Sequence, residues 1–192
     1  MAKKVHPHGM EAIDNFMTSK KETFTVWMKS LVCNSNGCTI YNSKGQIVYR
    51  VDNYDKKCSR EVHLMDFHGN ILFTITHRFL AFGRWDGYSN SEKKEKPYFQ
   101  VQRYCKLVMR NTVCQIKVAS ATYWILRSSA AKVAFTIVDV DGDIVAQAKQ
   151  KLQSSSEVVL GDDVVTLEVK SDVDHSLIMA LVTVYGLIRR RM

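Results

Sequence analysis

The sequence has few of the devices that break or staple a chain. Only two prolines occur among its 192 residues, and 46% of it is apolar, which excludes a disordered or linker-dominated protein. The five cysteines (Cys33, Cys38, Cys58, Cys105, Cys114) are odd in number and form no CxxC and no Cys/His pair at metal-ligand spacing. No Asn-x-Ser/Thr acceptor occurs, and no apolar run follows the basic residues near the N-terminus, as a secretory signal would need. These absences predict reduced thiols in a cytoplasmic or nuclear protein, several of them buried in strands. Catalytic signatures are missing too: there is no GxSxG elbow, P-loop, GxGxxG or HExxH. The residues therefore give no support for an enzyme, and no cofactor is expected.

What the chain does have is one unbroken apolar run near its end. From Leu177 to Ile188 it is apolar on every helical face, so it has no solvent side and must be wrapped by the rest of the protein. It falls short of the roughly 20 residues a membrane helix needs. Asp172, Asp174 and Ser176 are competent N-caps ahead of it, and Arg189, Arg190 and Arg191 suit its negative C-terminal end. The spacing predicts a core helix over about 175–189, with Leu177, Ile178, Leu181, Val182, Val184 and Tyr185 as its packing residues.

Upstream, a different unit recurs: an apolar strand, a polar turn with one glycine, and a second apolar strand. It occurs around Gly45, Gly69 and Gly142, each preceded three residues earlier by Asn42, Asp66 or Asp139. Glycine there supplies the positive φ that such a turn requires. Residues 112–118, 122–127 and 164–170 alternate or carry β-branched and aromatic residues, as strands do. Residues 85–96 are polar and read as an exposed loop before a strand at Tyr98. The whole predicts a mainly β domain, an antiparallel closed barrel of about twelve strands around the C-terminal helix. It spans residues 22–192, and residues 1–21 are expected to be a flexible arm.

Each candidate for chemistry has a plainer structural reading beside it. Asp139, Asp141 and Asp143 resemble the opening of a calcium loop, but position 150 is Gln where a bidentate Glu is required, and a hairpin turn fits better. Asp162 and Asp163 read as a turn at a strand start, and no metal centre is expected from the six scattered histidines. The formal charge of +8 is the one bulk property with functional content, because such an excess favours phosphates on lipids, nucleic acids or acidic proteins. Lys93, Lys94, Lys96, Arg103, Lys106 and Arg110 are the candidate anion-binding residues. Aromatics interleave with cations from Tyr98 to Arg127, as in single-strand nucleic-acid binders, although aromatics that alternate in a barrel wall are ordinarily core.

Several blocks, in order, resemble the plant LURP-one-related family. They are Trp27 to Leu31, Ser35 to Gly45, Tyr49 to Tyr54, Leu64 to Ile75, Trp85 to Tyr88, Leu160 to Val169 and Asp174 to Val182. The resemblance covers about residues 22–187. It implies a tubby-like C-terminal fold and kinship with phospholipid scramblases and tubby proteins, and it attaches no enzymatic activity. The family's namesake is linked to plant defence against oomycetes. Tubby proteins bind phosphatidylinositol bisphosphate through cationic residues, none of which can be aligned onto positions here. Scramblases are often described with the C-terminal apolar segment as a membrane span, whereas here the segment reads as barrel core. The resemblance thus implies a defence-related adaptor for anionic phospholipid headgroups (phosphoinositides) or protein partners, cytoplasmic or peripheral to a membrane, with no transmembrane span. The alternative is a membrane-tethered transcriptional regulator or nucleic-acid-binding protein.

Overall fold

The computed structural model describes residues 16–28, 37–52, 61–78, 83–89, 96–103, 112–119, 121–128, 133–150 and 164–189. Its strands are β1 (Glu22–Trp27), β2 (Gly37–Tyr41), β3 (Ile47–Asp52), β4 (Glu61–Asp66), β5 (Ile71–Arg78) and β6 (Arg84–Ser89). They continue as β7 (Phe99–Arg103), β8 (Thr112–Val118), β9 (Ala121–Arg127), β10 (Val133–Val138), β11 (Ile144–Gln150) and β12 (Val164–Val169). One helix follows, α1 (His175–Ile188). Every strand pairs antiparallel with its sequence neighbours. β1 also pairs with β12, from Glu22 opposite Val169 to Trp27 opposite Val164, and so closes the barrel. Closure removes the open edges that a meander would otherwise present to other chains.

Strand alternation sends Val26, Ile40, Val51, Leu64, Ile75, Val101, Ile116, Ile125, Ile137 and Leu167 into the interior, where each is almost fully buried. α1 fills the space they leave. Every residue from His175 to Gly186 is buried, which is the physical reason the segment has no polar stripe. Its hydroxyls are satisfied internally: Thr183 Oγ1 donates to the Met179 carbonyl at 2.8 Å. Of the three competent caps, the chain uses Asp174, whose Oδ1 accepts the N–H of Ser176 at 2.8 Å and of Leu177 at 3.3 Å. Tyr185 packs its ring 4.3 Å from that of Phe135 in β10. No described helix is long and apolar enough to cross a membrane.

The three glycine turns are one structure repeated. Gly45, Gly69 and Gly142 have φ of 76°, 89° and 84°. In each, the glycine N–H donates to the carbonyl of residue 42, 66 or 139, and the side-chain oxygen of that residue accepts the N–H four positions on. Asp139 Oδ1 is thus engaged by its own backbone, including Asp141 N–H at 3.0 Å, so the aspartate run is a turn.

Two expectations need correction. The segment read as an exposed loop begins with a strand, β6, in which Trp85, Asp86 and Gly87 are buried. Asp-Gly reads as a turn signal, but here Gly87 faces inward and the Phe99 ring of β7 occupies the volume its side chain would need. Asp86 faces outward and is covered by arginines. The second correction concerns the arm. Residues 16–18 are fastened to the barrel: the Phe16 carbonyl accepts His175 N–H at 2.9 Å, the Thr18 carbonyl accepts Asp172 N–H at 2.8 Å, and Met17 bridges to Asp174. Residues 1–15 lie outside the described residues.

Candidate functional site

In an up-and-down barrel, alternate connections lie at opposite ends. The glycine turns at 42–46, 66–70 and 139–143 share one end with residues 170–174, where the chain turns into α1. This is the helix-entry end. The helix-exit end is where β5, β7 and β9 finish, β6 begins and α1 stops.

Arginine gathers at the exit end. Arg78 ends β5 and lies opposite Arg84, the first residue of β6. Arg84 lies opposite Gln102, beside Arg103 at the end of β7, and Arg127 ends β9. Arg189 caps α1 at the same end. Neighbouring strands are roughly 4.8 Å apart, so Arg78, Arg84 and Arg103 fall within about two strand spacings, or some 10 Å, of rim. Arg103 and Arg127 are exposed, two residues beyond the inward-facing Val101 and Ile125.

Two of these arginines are held in place. Asp86 is 2% exposed and lies between them, with Arg78 Nε donating to Oδ2 at 2.9 Å and Arg84 Nη2 at 3.2 Å. Gln100 Nε2 approaches Oδ1 at 3.4 Å, and Arg78 Nη2 donates to Tyr88 Oη at 2.6 Å. That Tyr88 bond, then Asp86, raises the Arg78 guanidinium above its ordinary value. One carboxylate between two guanidiniums leaves a surplus positive charge. Both side chains remain partly open to solvent, 48% and 36%, so an incoming anion meets guanidiniums that are already oriented.

The entry end is different. Tyr49 is buried beneath Phe16, its phenol pushed well above the ordinary value by burial and then by Asp174, Glu22 and Asp66. His175 is 4% exposed, edge-on to Phe24 at 5.3 Å, and its Nε2 has no hydrogen-bond partner among the described residues. Burial lowers its pKa, with Glu22 and Asp174 acting in the opposite direction. The unfolded chain therefore binds a proton at this residue more readily than the native one. Stability conferred by neutral His175 is complete above about pH 6.5 and declines as pH falls towards the native value. The urea midpoint is expected to drop between pH 7.5 and 5.5, and His175→Leu is expected to flatten that slope; an equal slope in the variant contradicts this assignment.

Comparison with known proteins decides the kinship. The LURP-one-related family profile matches residues 22–186. The chain belongs to the LURP-one-related family. Protein LURP-one-related 4 of Arabidopsis thaliana is 51% identical over 181 residues, covering 91% of this chain and 81% of that protein. Proteins LURP-one-related 3 and 11 of the same plant are each 38% identical, covering 96% of this chain and 91% and 88% of theirs. A crystal structure of an Arabidopsis thaliana protein superposes with a TM-score of 0.68 at 14% identity, over 94% of this chain and 99% of that one, and shares its fold. The tubby-like barrel expected from the resemblance is the architecture found. The relatives' names state no activity.

Within this LURP-one-related protein, two of the six expected anion-binding residues, Lys96 and Arg103, are described, and they lie apart. Lys96 precedes β7 at the entry end and Arg103 ends it at the exit end, separated by the strand's length of roughly 16 Å. Lys93, Lys94, Lys106 and Arg110 lie outside the described residues, as do Asp162, Asp163, Arg190 and Arg191. Two aromatics of the basic segment pack on the core: Tyr98 lies 5.6 Å from Phe73, and Tyr123 lies against the hydrophobic cluster. Cys38 and Cys114 are buried free thiols, and burial pushes Cys114 up to about 12, far from a reactive thiolate. Arg78 and Arg84 were missed as site residues. The signal was hidden with β6: once Arg84–Ser89 is a strand, the ends of β5, β7 and β9 and the start of β6 share one end.

Proposed function

We propose that this protein is a non-enzymatic, cytoplasmic adaptor that docks reversibly on anionic membranes through its helix-exit end, by binding phosphate-bearing lipid headgroups. The observation that carries this reading is the arc of strand-end arginines, Arg78, Arg84, Arg103 and Arg127, with Arg189 at the helix cap. Guanidiniums pair phosphate oxygens two at a time, and Asp86 has already ordered two of them. Trp27, 36% exposed, stands at the same end, and an aromatic ring there suits the boundary between headgroups and acyl chains. Each arginine near an anionic surface contributes about 1 kcal/mol, so a few acting together suffice for salt-sensitive recruitment.

The test is co-sedimentation with vesicles of neutral lipid, of phosphatidylserine, and of phosphatidylinositol bisphosphate, at low and at high salt. Pelleting with the anionic vesicles, strongest with the bisphosphate and reduced by salt, is expected. Equal pelleting with neutral vesicles, or none with any, removes the proposal. RNA binding that is steeply salt-dependent, without vesicle binding, would put the nucleic-acid reading in its place.

A further inference from the structure

Residues 16–18 form a strap across the point where the chain turns into α1. Three backbone contacts hold it: the Phe16 carbonyl accepts His175 N–H at 2.9 Å, the Thr18 carbonyl accepts Asp172 N–H at 2.8 Å, and Met17 bridges to Asp174. The next fixed point is Lys21, immediately before β1, which is ion-paired with Glu168 of β12. The strap can therefore leave without opening a strand pair. Such a departure is a local event, and it needs less free energy than unfolding the barrel. Asp172 adds to this, because its φ of 60° lies in the left-handed region that a non-glycine residue adopts less readily. Releasing the Thr18 bond frees that residue to relax.

The residue to which the strap is tied has no prepared place for a proton. His175 is buried and is the first residue of α1. Its ring ends a row of aromatics: Phe16 lies 6.0 Å from Tyr49, Tyr49 lies 6.4 Å from Phe24, and Phe24 lies 5.3 Å from His175. Nε2 finds no partner among the described residues, and a cation there would stand at the positive end of the helix. The groups that face the ring are Glu22 of β1 and the cap Asp174. Tyr49 of β3 lies behind Phe24, Asp172 is exposed on the turn, and the strap and the first turns of α1 add no titratable side chain. Asp174 Oδ1 is already taken by Ser176 N–H, Ser176 Oγ and Leu177 N–H. Burial outweighs both carboxylates and favours the neutral imidazole.

We infer that the strap is a proton-operated latch: protonation of His175 releases residues 16–18 from the start of α1 while the barrel stays closed. The strands and the helix around the ring are fixed by barrel closure, so the strap is the cover that yields and lets water reach the imidazolium. The open state binds the proton more readily than the closed one, and falling pH therefore favours opening. Release bares the Tyr49 ring that Phe16 covers and frees the chain that precedes Lys21. The device is independent of the arginine rim at the opposite end.

The test is amide hydrogen exchange by NMR on the full chain at pH 7.5 and 5.5, with each rate referred to the intrinsic rate at that pH. The amides of Asp172 and His175 report the strap directly, because they donate to its carbonyls. Their protection is expected to fall at least tenfold at pH 5.5, over the interval in which the His175 ring titrates, while the β1–β12 ladder is unchanged. His175→Leu is expected to keep both amides protected at both pH values. Phe16→Ala keeps the imidazole and removes only the ring over Tyr49, and it is expected to open the strap at higher pH with the ladder still protected. Unchanged protection of the two amides in the wild type, or a loss in step with the ladder, overturns the inference. So does an equal fall in His175→Leu, which would make Glu22 or Asp174 the titrating group.

Discussion

Leu181→Asp is expected to abolish folding. Leu181 is wholly buried midway along α1, with strands on every side of the helix. A carboxylate at this position has no cation or polar group prepared for it, and an isolated buried charge costs several kcal/mol or forces protonation. Total stability of a domain this size is about 5–15 kcal/mol, so one such defect consumes most of it. The milder Leu181→Ala is expected to cost about 2–5 kcal/mol by leaving a cavity, while keeping the protein folded enough to measure. Circular dichroism and thermal melts on the pair decide the matter. A Leu181→Asp protein that melts with the wild type would mean that α1 is not the core of the barrel.

Gly87→Ala is the second large effect. An added methyl at this inward-facing position of β6 overlaps the ring of Phe99 on β7, which itself packs on Phe73 at 5.6 Å. The ring belongs to a fully buried side chain in a close-packed interior, so it has nowhere to retreat without displacing β5 or the helix. Overpacking of this kind costs about 1–3 kcal/mol. For a protein of this length that is a fall in melting temperature of roughly 2–12 °C. Phe99→Leu destabilises alone but is expected to restore part of the loss when combined with Gly87→Ala, giving a favourable coupling between the two sites. If Gly87→Ala melts with the wild type, the ring does not fill that space and β6 is packed differently.

Gly87 also shows why this stretch was hidden in the sequence. A sequence reading weighs Trp85-Asp-Gly-Tyr by composition, and Asp-Gly is a strong turn signal. The strand exists because its partners complete it: Phe99 supplies the missing bulk and Arg78 and Arg84 cover the aspartate. Of those partners only Arg84 is local; Arg78 and Phe99 come from the neighbouring strands. By contrast α1 was legible, because a segment without a polar face can only be enclosed. The glycine turns were legible for a similar reason, since the positive φ and the side-chain acceptor lie within five residues of each other.

The candidate site falls between these cases. Lys96 and Arg103 look like neighbours in sequence, yet the strand between them sends them to opposite ends. Arg78, Arg84 and Arg127 look scattered, yet the alternation of the meander returns them to one rim. Grouping cations by sequence distance is the wrong measure in a barrel; grouping them by which end of which strand they occupy is the right one. The strap of residues 16–18 was illegible for a further reason. Its bonds to Asp172 and His175 are made by backbone groups, which carry no residue signature.

The measurement that bears most directly on the membrane proposal compares two double variants in the phosphatidylinositol bisphosphate vesicle assay. Arg103→Gln with Arg127→Gln removes two exposed exit-end charges while sparing Arg78 and Arg84, whose loss would strand the buried Asp86. Lys44→Gln with Lys96→Gln removes the same charge from the entry end. At about 1 kcal/mol for each charge near the surface, the arginine pair should weaken vesicle binding by roughly 30-fold and the lysine pair by far less. Equal losses from the two pairs would mean that net charge alone drives the association, and the exit end would have no claim to be the membrane-docking face.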